Sequence, residues 1–478
     1  MNRFDRGFYA RALFRFLNEA GVWYCVVGDT RDYPDRISSD IDIVVPHRTL
    51  LEFPEIVSQF AHLHRLQLVQ VLRHERTAMY FVLAWIDSDG KPQFLAPDVC
   101  SDYRRHGVPI LTAAEILKHS APAADGCGGW TRFPVPRPAM QFIYYLIKKI
   151  DKGQLDQRQA DYLIACWRQD RDGCIAQLRR FWEGDAVRLV ADAMDDDGNW
   201  LPLQADLGGL RKQLHRSLPF APGAQWQDLM RKIARAFHPS GLTIALLGPD
   251  GCGKSSVIGA VSQEMAAAFR KVHYVHLRPR VVGGGHAQEP VSEPHAMPPR
   301  GALASAAKLA WFLFDYWSGY LLSIWPRRMR STLVIFDRYY HDIIVDPRRY
   351  RYGGPMLLAR LAGWLVPRPD IWFVLDAPAE VVWARKSEVD LAETQRQREA
   401  YLALLKRLRG VAVDVSQELP DVVRQVEIEM LDYLERRTAR RWHCPPRAAM
   451  DRAPVGPVAS GTESIAGVAS GNERHSSG

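Results

Sequence analysis

A glycine-rich run at residues 248–256 carries residue types that can bind phosphate. Its sequence, Gly-Pro-Asp-Gly-Cys-Gly-Lys-Ser-Ser, fits the phosphate-loop pattern G-x-x-x-x-G-K-[ST] at every fixed position. Glycines let backbone N–H groups approach a phosphate, Lys254 can reach the outer phosphates of a nucleotide, and the Ser255 hydroxyl can hold Mg2+. An ordinary glycine-rich turn is the alternative. The predicted nucleotide-binding residues are Gly248, Asp250, Gly251, Cys252, Gly253, Lys254, Ser255 and Ser256.

A second candidate site follows an apolar run at residues 333–336, which ends in Asp337. Such a run is typical of a buried parallel strand, and ligands bind at the carboxyl ends of strands in open α/β sheets. An aspartate in that position commonly serves Mg2+, and the adjacent Arg338 could face a phosphate. A generic Asp-Arg pair that caps a turn is the alternative. Residues 371–375 followed by Asp376 show the same pattern.

The elements around the loop predict an α/β domain at residues 241–438. An apolar strand precedes the loop and a helix with one apolar face follows it, so the helix dipole would point at the phosphate. Strands alternate with helices, which predicts a three-layer domain with a five-stranded parallel sheet covered on both faces. The predicted strands are 243–247, 272–277, 333–336, 371–375 and 411–415.

This half of the chain resembles the thymidylate kinase group of nucleoside monophosphate kinases. The resemblance rests on the loop at 248–256 with its acid Asp250, on Asp337-Arg338-Tyr339, and on residues 369–378. It implies ATP-dependent phosphoryl transfer with Mg2+, a mobile basic lid, and the helix-packed homodimer that the family often forms. Arg385, Lys386, Arg396 and Arg398 lie where the lid would be, although basic residues on a solvated helix are the alternative. The implied catalytic residues are Lys254, Asp337, Arg338, Arg385 and Lys386.

The segments that would contact the acceptor differ from the thymidylate enzymes. The usual Arg-Glu-Pro-Gly-Gly is replaced by Arg-Pro-Arg-Val-Val-Gly-Gly at 278–284, and residues 340–347 replace the usual small-residue run. The expected acceptor is therefore a nucleoside monophosphate or a related phosphorylated molecule. An ATP-binding regulator without small-molecule kinase activity is a second hypothesis.

Residues 1–120 predict a small α/β domain with clustered carboxylates. Asp40 and Asp42 would share one face of a strand, and Asp98 could add a third carboxylate for Mg2+. The layout resembles the nucleotidyltransferase superfamily that includes DNA polymerase beta, except that Asp29 follows Gly28 where that family has glycine or serine. An active transferase and a nucleotide-binding or scaffold domain both remain open. Aspartates in a solvated turn are the alternative.

The rest of the chain predicts two further regions. Residues 138–237 have a helical pattern and would pack the two outer domains together, whereas residues 439–478 have few apolar anchors and predict a disordered tail. The apolar stretch 302–325 predicts a long, largely buried helix, because Lys308 and Asp315 interrupt it. Membrane contact is the alternative.

Composition limits the class of protein. The 478 residues carry a net charge of +8, which is spread along the chain and gives no strong signal for nucleic acid. Seven cysteines at irregular spacing include no C-x-x-C pair, so we expect no zinc site and a reducing, cytoplasmic location. We expect no signal peptide and no transmembrane segment.

Overall fold

The computed structural model describes residues 5–105, 107–118, 120–122, 133–195, 199–217, 226, 230, 233–279, 298–386 and 389–443. Most of the predicted tail at 439–478 lies outside these residues, as does part of the predicted helical region, 218–225. The acceptor segment at 278–284 is described only to Pro279. No helix of the described residues is long and apolar enough to cross a membrane.

A mixed six-stranded sheet dominates the N-terminal part, in the order β1-β2-β6-β4-β3 with β5 beside β4. Strands β2 and β6 are parallel, while β1, β3, β4 and β5 pair antiparallel with their neighbours. Its elements are α1 (Arg6–Glu19), β1 (Cys25–Val26), β2 (Ile41–Val44), α2 (His47–Leu63), β3 (Gln67–Glu75), β4 (Ala78–Ile86), β5 (Pro92–Leu95) and β6 (Pro97–Cys100).

Helices α4 to α9 follow, after two small hairpins formed by β7 (Tyr103–Arg105) with β8 (Val108–Leu111) and β9 (Ser120–Pro122) with β10 (Pro134–Pro136). A short helix, α3 (Ala113–Lys118), separates the hairpins. The helices that follow are α4 (Pro138–Lys152), α5 (Gln157–Gln169), α6 (Arg171–Leu178), α7 (Asp185–Asp195), α8 (Leu201–Ala205) and α9 (Leu207–Ser217).

The loop-bearing part contains five parallel strands, as predicted. Their order is β12-β13-β11-β14-β15. Its strands are β11 (Leu242–Leu247), β12 (Lys271–His276), β13 (Thr332–Asp337), β14 (Ile371–Asp376) and β15 (Val411–Asp414). Its helices are α10 (Lys254–Glu264), α11 (Ala302–Gly319), α12 (Trp325–Met329), α13 (Asp342–Val345), α14 (Met356–Leu365), α15 (Ala379–Arg385), α16 (Leu391–Leu408) and α17 (Leu419–Trp442).

The central strand β11 shows why this sheet could be predicted from the sequence. Ile244 and Leu246 pack in one core with α10 and α17, whereas Ala245 and Leu247 pack in another with α11 and α16. Both faces of the strand are therefore buried, which requires a continuous apolar run rather than alternation.

The two sheets share a core, and in the described part of the predicted helical region the helices α4 to α9 do not join them, contrary to expectation. Helices α4 to α9 pack in a core whose residues lie between Cys25 and Leu214. Val69 and Val82 of the N-terminal sheet instead belong to the same core as α10 and α17. The buried Gln70 adds polar contacts across this junction, because its Nε2 donates to the carbonyl of Ala268 at 2.5 Å.

The prediction that residues 302–325 form one long, largely buried helix is wrong. Helix α11 ends at Gly319 and continues as a π-helical turn, Tyr320–Ile324. Both of its charged side chains are turned inward. Asp315 is 2% exposed and pairs with Arg278, while Lys308 contacts the carbonyl of Tyr350. The outward face is apolar and continues onto α14, where Trp317 Nε1 donates to the carbonyl of Leu365 at 2.9 Å. We call this exposed set the apolar face: Trp311, Phe314, Trp317, Leu321, Leu322, Leu357, Leu361, Trp364 and Leu365.

A buried carboxylate at the junction predicts a pH-dependent stability. Glu427 of α17 is 0% exposed, and neither of its carboxylate oxygens has a hydrogen-bond partner among the described residues. Burial, followed by the charge of Glu264, raises the pKa of Glu427 from 4.5 to about 8, although Lys91 and Arg424 lower it. Because the folded protein binds this proton more tightly, stability should fall as pH rises from about 4.5 to about 8.

Glu427→Gln should therefore raise the free energy of unfolding at pH 8.5 and have a much smaller effect at pH 5. Urea unfolding across this range measures the difference. The exposed Glu183 provides a matched control, because Glu183→Gln should show no such pH dependence. An equal effect of Glu427→Gln at both pH values would assign it to packing instead.

Candidate functional site

The phosphate-loop backbone requires glycine at three positions. Gly248, Gly251 and Gly253 have φ angles of +145°, +88° and +83°, where side chains are disfavoured. A Cβ on Gly248 would also lie 2.8 Å from the carbonyl oxygen of Leu375. Helix α10 begins at Lys254, so the exposed Ser255 and Ser256 lie in its first turn, where free N–H groups and the helix dipole favour an anion.

Lys254 is folded back onto the loop. Its ammonium group is buried and donates to the carbonyls of Gly248 and Pro249, each at 2.8 Å. The thiol of Cys252 lies 3.5 Å from the same nitrogen. These contacts keep a charged donor inside the loop.

Asp337 lies at the sheet edge next to the loop strand. It is the register partner of Leu246 in β11 and of His276 in β12. The hydroxyl of Tyr274 donates to Oδ2 at 2.9 Å, and His276 Nδ1 lies 3.7 Å from the same oxygen. The buried Oδ1 has no hydrogen-bond partner among the described residues. Burial alone would raise the pKa of Asp337, but the nearby His276 and the charge of Lys254 hold the pKa below its ordinary value.

An ionised carboxylate with one uncommitted oxygen fits Mg2+. Within the described residues, no group of three His, Cys, Asp or Glu side chains is placed to hold a metal ion. Mg2+ in nucleotide sites is typically held by one or two protein groups together with phosphates and water. Ser255 and Asp337 are the residues that would hold it.

Asp250 is enclosed by two arginines. Arg338 and Arg349 both donate to its carboxylate, one to each oxygen. Arg338 has a φ of +70° and lies 3.4 Å from Asp342, whose complete burial raises its pKa to about 6. Sequence reasoning found Asp250 and Arg338 but did not pair them. It missed Arg349, for which the basic run at 348–351 was the available signal, and it also missed Asp342.

The predicted lid residues have separate partners. Arg385 donates to the carbonyl of Val415 at 3.1 Å, Arg396 pairs with Glu393, and Arg398 pairs with Asp376 at 2.7 Å. Lys386 is the residue beside the loop, because a Cβ on Gly251 would lie 2.9 Å from the Cβ of Lys386. Lys386 is therefore the better placed of the two predicted catalytic lid residues.

In the N-terminal sheet the predicted carboxylates Asp40, Asp42 and Asp98 influence one another's charge, but within the part of the chain that the structure describes they do not form a group placed to hold a metal ion. Asp42 and Asp98 are register partners in β2 and β6. Burial and then the charge of Asp42 raise the pKa of Asp98 to about 7 and also raise that of Asp40. However, Lys148 of α4 places its ammonium group 2.5 Å from Asp42 Oδ2. A lysine thus supplies positive charge beside these acids.

The unusual Asp29 is also neutralised by cations. Arg31 and Arg158 lie 2.8 and 3.4 Å from its Oδ2. The Tyr162 hydroxyl of α5 donates to the carbonyl of Gly28 at 2.8 Å. Helix α5 therefore contacts the loop that would meet a triphosphate in a nucleotidyltransferase.

The chain was compared with protein families, curated proteins and solved structures. No family model matches the chain, and no curated protein matches it. The thymidylate kinase from Ehrlichia chaffeensis is 20% identical, with a TM-score of 0.31, and the match covers 40% of this chain and 100% of that one. A match at this level supports no conclusion about activity.

Proposed function

We propose that residues 241–438 form a P-loop kinase that transfers the γ-phosphoryl group of ATP to a nucleoside monophosphate or a related phosphorylated acceptor. The observation that carries this proposal is Asp337, whose uncommitted carboxylate oxygen lies on the strand beside the phosphate loop. Phosphoryl transfer needs a phosphate loop, a nearby carboxylate for the cation, and arginines such as Arg338 and Arg349 that can bind phosphate.

Catalysis would depend on positioning and on charge stabilisation. An oxygen of the acceptor attacks the γ-phosphorus, the bond from that phosphorus to the β–γ bridging oxygen breaks, and ADP leaves. The N-terminal N–H groups of α10 and Lys254 hold the ATP phosphates, and Lys386 lies beside the loop. Arg338 and Arg349, which contact Asp250, can instead bind the acceptor phosphate. Mg2+ held by Ser255 and Asp337 would neutralise charge that develops on the phosphate oxygens.

The direct test uses the full chain with γ-labelled ATP, Mg2+ and a panel of nucleoside monophosphates and phosphorylated metabolites. Label that moves to one acceptor supports the kinase and identifies its substrate. Tight ATP binding without transfer to any acceptor would contradict it and favour the regulator hypothesis.

For the N-terminal sheet, the observations favour a binding or scaffold role over nucleotidyl transfer. Lys148 accompanies the carboxylates, and Val69 and Val82 complete the core of the loop-bearing part. Transfer of label from α-labelled ATP to protein or RNA, lost in Asp42→Asn, would overturn this assignment.

We also propose that a second copy of this chain covers the apolar face. The exposed residues of α11 include no charged side chain, and the face combines large apolar residues with the small Ala304, Ala307 and Ala310. Obligate dimer interfaces have this core-like composition, whereas helices that lie on membranes carry many basic residues beside the apolar ones.

Charged substitutions on this face should produce monomers. Leu322 and Trp364 are 68% and 76% exposed, so Leu322→Lys and Trp364→Asp should leave the fold of a single copy intact. Light scattering coupled to size exclusion should show a dimer for the parent and a monomer for each variant. Leu201→Lys is the control, because Leu201 of α8 is 63% exposed and lies outside the apolar face. A monomeric parent that binds lipid vesicles would contradict the dimer and assign the face to a membrane.

A further inference from the structure

Four cationic side chains gather beyond the phosphoryl-transfer residues. Arg278 lies two residues past β12, and Lys308 lies in the N-terminal half of α11. Arg300 and Arg351 belong to segments joined by a hydrogen bond from the Arg300 N–H to the Arg351 carbonyl at 3.1 Å. We call these four residues the cationic cluster.

Among the described residues, Asp315 is the carboxylate that pairs with the cluster. Arg278 pairs with Asp315 at 2.6 Å and lies 4.5 Å from the centre of the Phe312 ring. Burial, followed by the charges of Arg300, Arg278 and Arg351, lowers the pKa of Lys308 to about 8. No carboxylate is among these influences. Like charges held together in this way are unfavourable unless an anion binds between them.

Tyr350 connects the cluster to the transfer site. Its hydroxyl is hydrogen-bonded to Arg338, and its carbonyl accepts a hydrogen bond from Lys308. Tyr350 therefore contacts both Arg338 and the cationic cluster. A ligand whose phosphate reaches Arg338 can extend a second group toward Lys308.

We propose that the cationic cluster binds a second anionic group of the acceptor, a phosphate or a carboxylate, in addition to the phosphate that receives the transferred group. This inference depends on the proposed kinase function for the identity of the acceptor. It narrows the substrate class to molecules with two separated anionic groups. Nucleoside monophosphates with a neutral base would then be poor acceptors.

The binding test uses inorganic phosphate as the probe, because it does not require catalysis. Titration calorimetry is performed on the Lys254→Ala chain, because this substitution reduces phosphate binding at the loop. Adding Lys308→Met should weaken phosphate binding about tenfold, as expected when a charged hydrogen-bond donor is lost. Binding should also fall between pH 7 and 9, since Lys308 loses its proton near pH 8. Lys308→Arg should restore binding and remove this pH dependence.

Kinetics then separate this inference from the kinase proposal. With bis-anionic acceptors such as sugar bisphosphates or phosphorylated carboxylic acids, Lys308→Met should raise KM about tenfold with little change in kcat. Lys271→Met, on the exposed side of β12, is the matched control. Equal KM values of the parent and Lys308→Met for a bis-anionic acceptor, or efficient transfer to acceptors that carry only one anionic group, would contradict the role of the cluster and leave the kinase proposal intact. Phosphate binding that depends on Lys308, without transfer to any acceptor, would support the cluster and contradict the kinase.

Discussion

Replacing Lys254 with alanine should reduce phosphoryl transfer about a thousandfold, the loss typical of removing a preorganised donor from a transition state. The ammonium group is already buried within the loop, where its interaction with phosphate charge is screened less than in water. No other lysine lies within the loop at 248–256 to replace it. Initial rates with γ-labelled ATP and the acceptor found in the panel measure the effect.

Two controls make this result specific. Lys271→Ala removes an exposed lysine from a strand of the same sheet and should leave the rate unchanged. Because Lys254 donates to the carbonyls of Gly248 and Pro249, unfolding by urea must show that Lys254→Ala remains folded. A folded Lys254→Ala chain that retains the parental rate would mean that the loop does not bind the phosphoryl donor.

The sheet around the loop was predictable because its sequence signals are local. Strand β11 is buried on both faces and so must be continuously apolar, and the loop glycines follow from φ angles that other residues avoid. Asp337 was predictable for the same reason, since it ends an apolar strand at the edge where ligands bind.

The features that were missed depend on contacts between distant segments. Arg349 reaches Asp250 across 99 positions, and nothing near Arg349 in the sequence indicates this partner. Strand β3 contains Gln67, Gln70 and Arg73, which obscure its apolar residues, although Gln70 is buried against the loop-bearing part. The face of α11 was misassigned because average hydrophobicity does not reveal whether another surface covers it.

Replacing Asp337 with asparagine should reduce phosphoryl transfer by a factor of about 100 to 1,000, as for other losses of preorganised electrostatic stabilisation. Asparagine keeps the size of the side chain and an oxygen for Tyr274, so the hydrogen bond at 2.9 Å can persist. It removes the negative charge that would attract Mg2+. The reduction should therefore be accompanied by a higher Mg2+ concentration for half-maximal rate, and both are obtained from rates measured across a Mg2+ titration.

Asp376 offers a matched control at the same sheet edge. It ends β14, which lies on the other side of β11, as Asp337 ends β13, but its carboxylate is paired with Arg398 at 2.7 Å. Asp376→Asn loses only a partly exposed ion pair, which contributes little to stability, and should keep both the rate and the Mg2+ requirement. Equal losses in the two variants would show that strand-end acids support the sheet in general. A loss confined to Asp337→Asn, with a raised Mg2+ requirement, would assign the cation to the carboxylate whose second oxygen has no protein partner among the described residues.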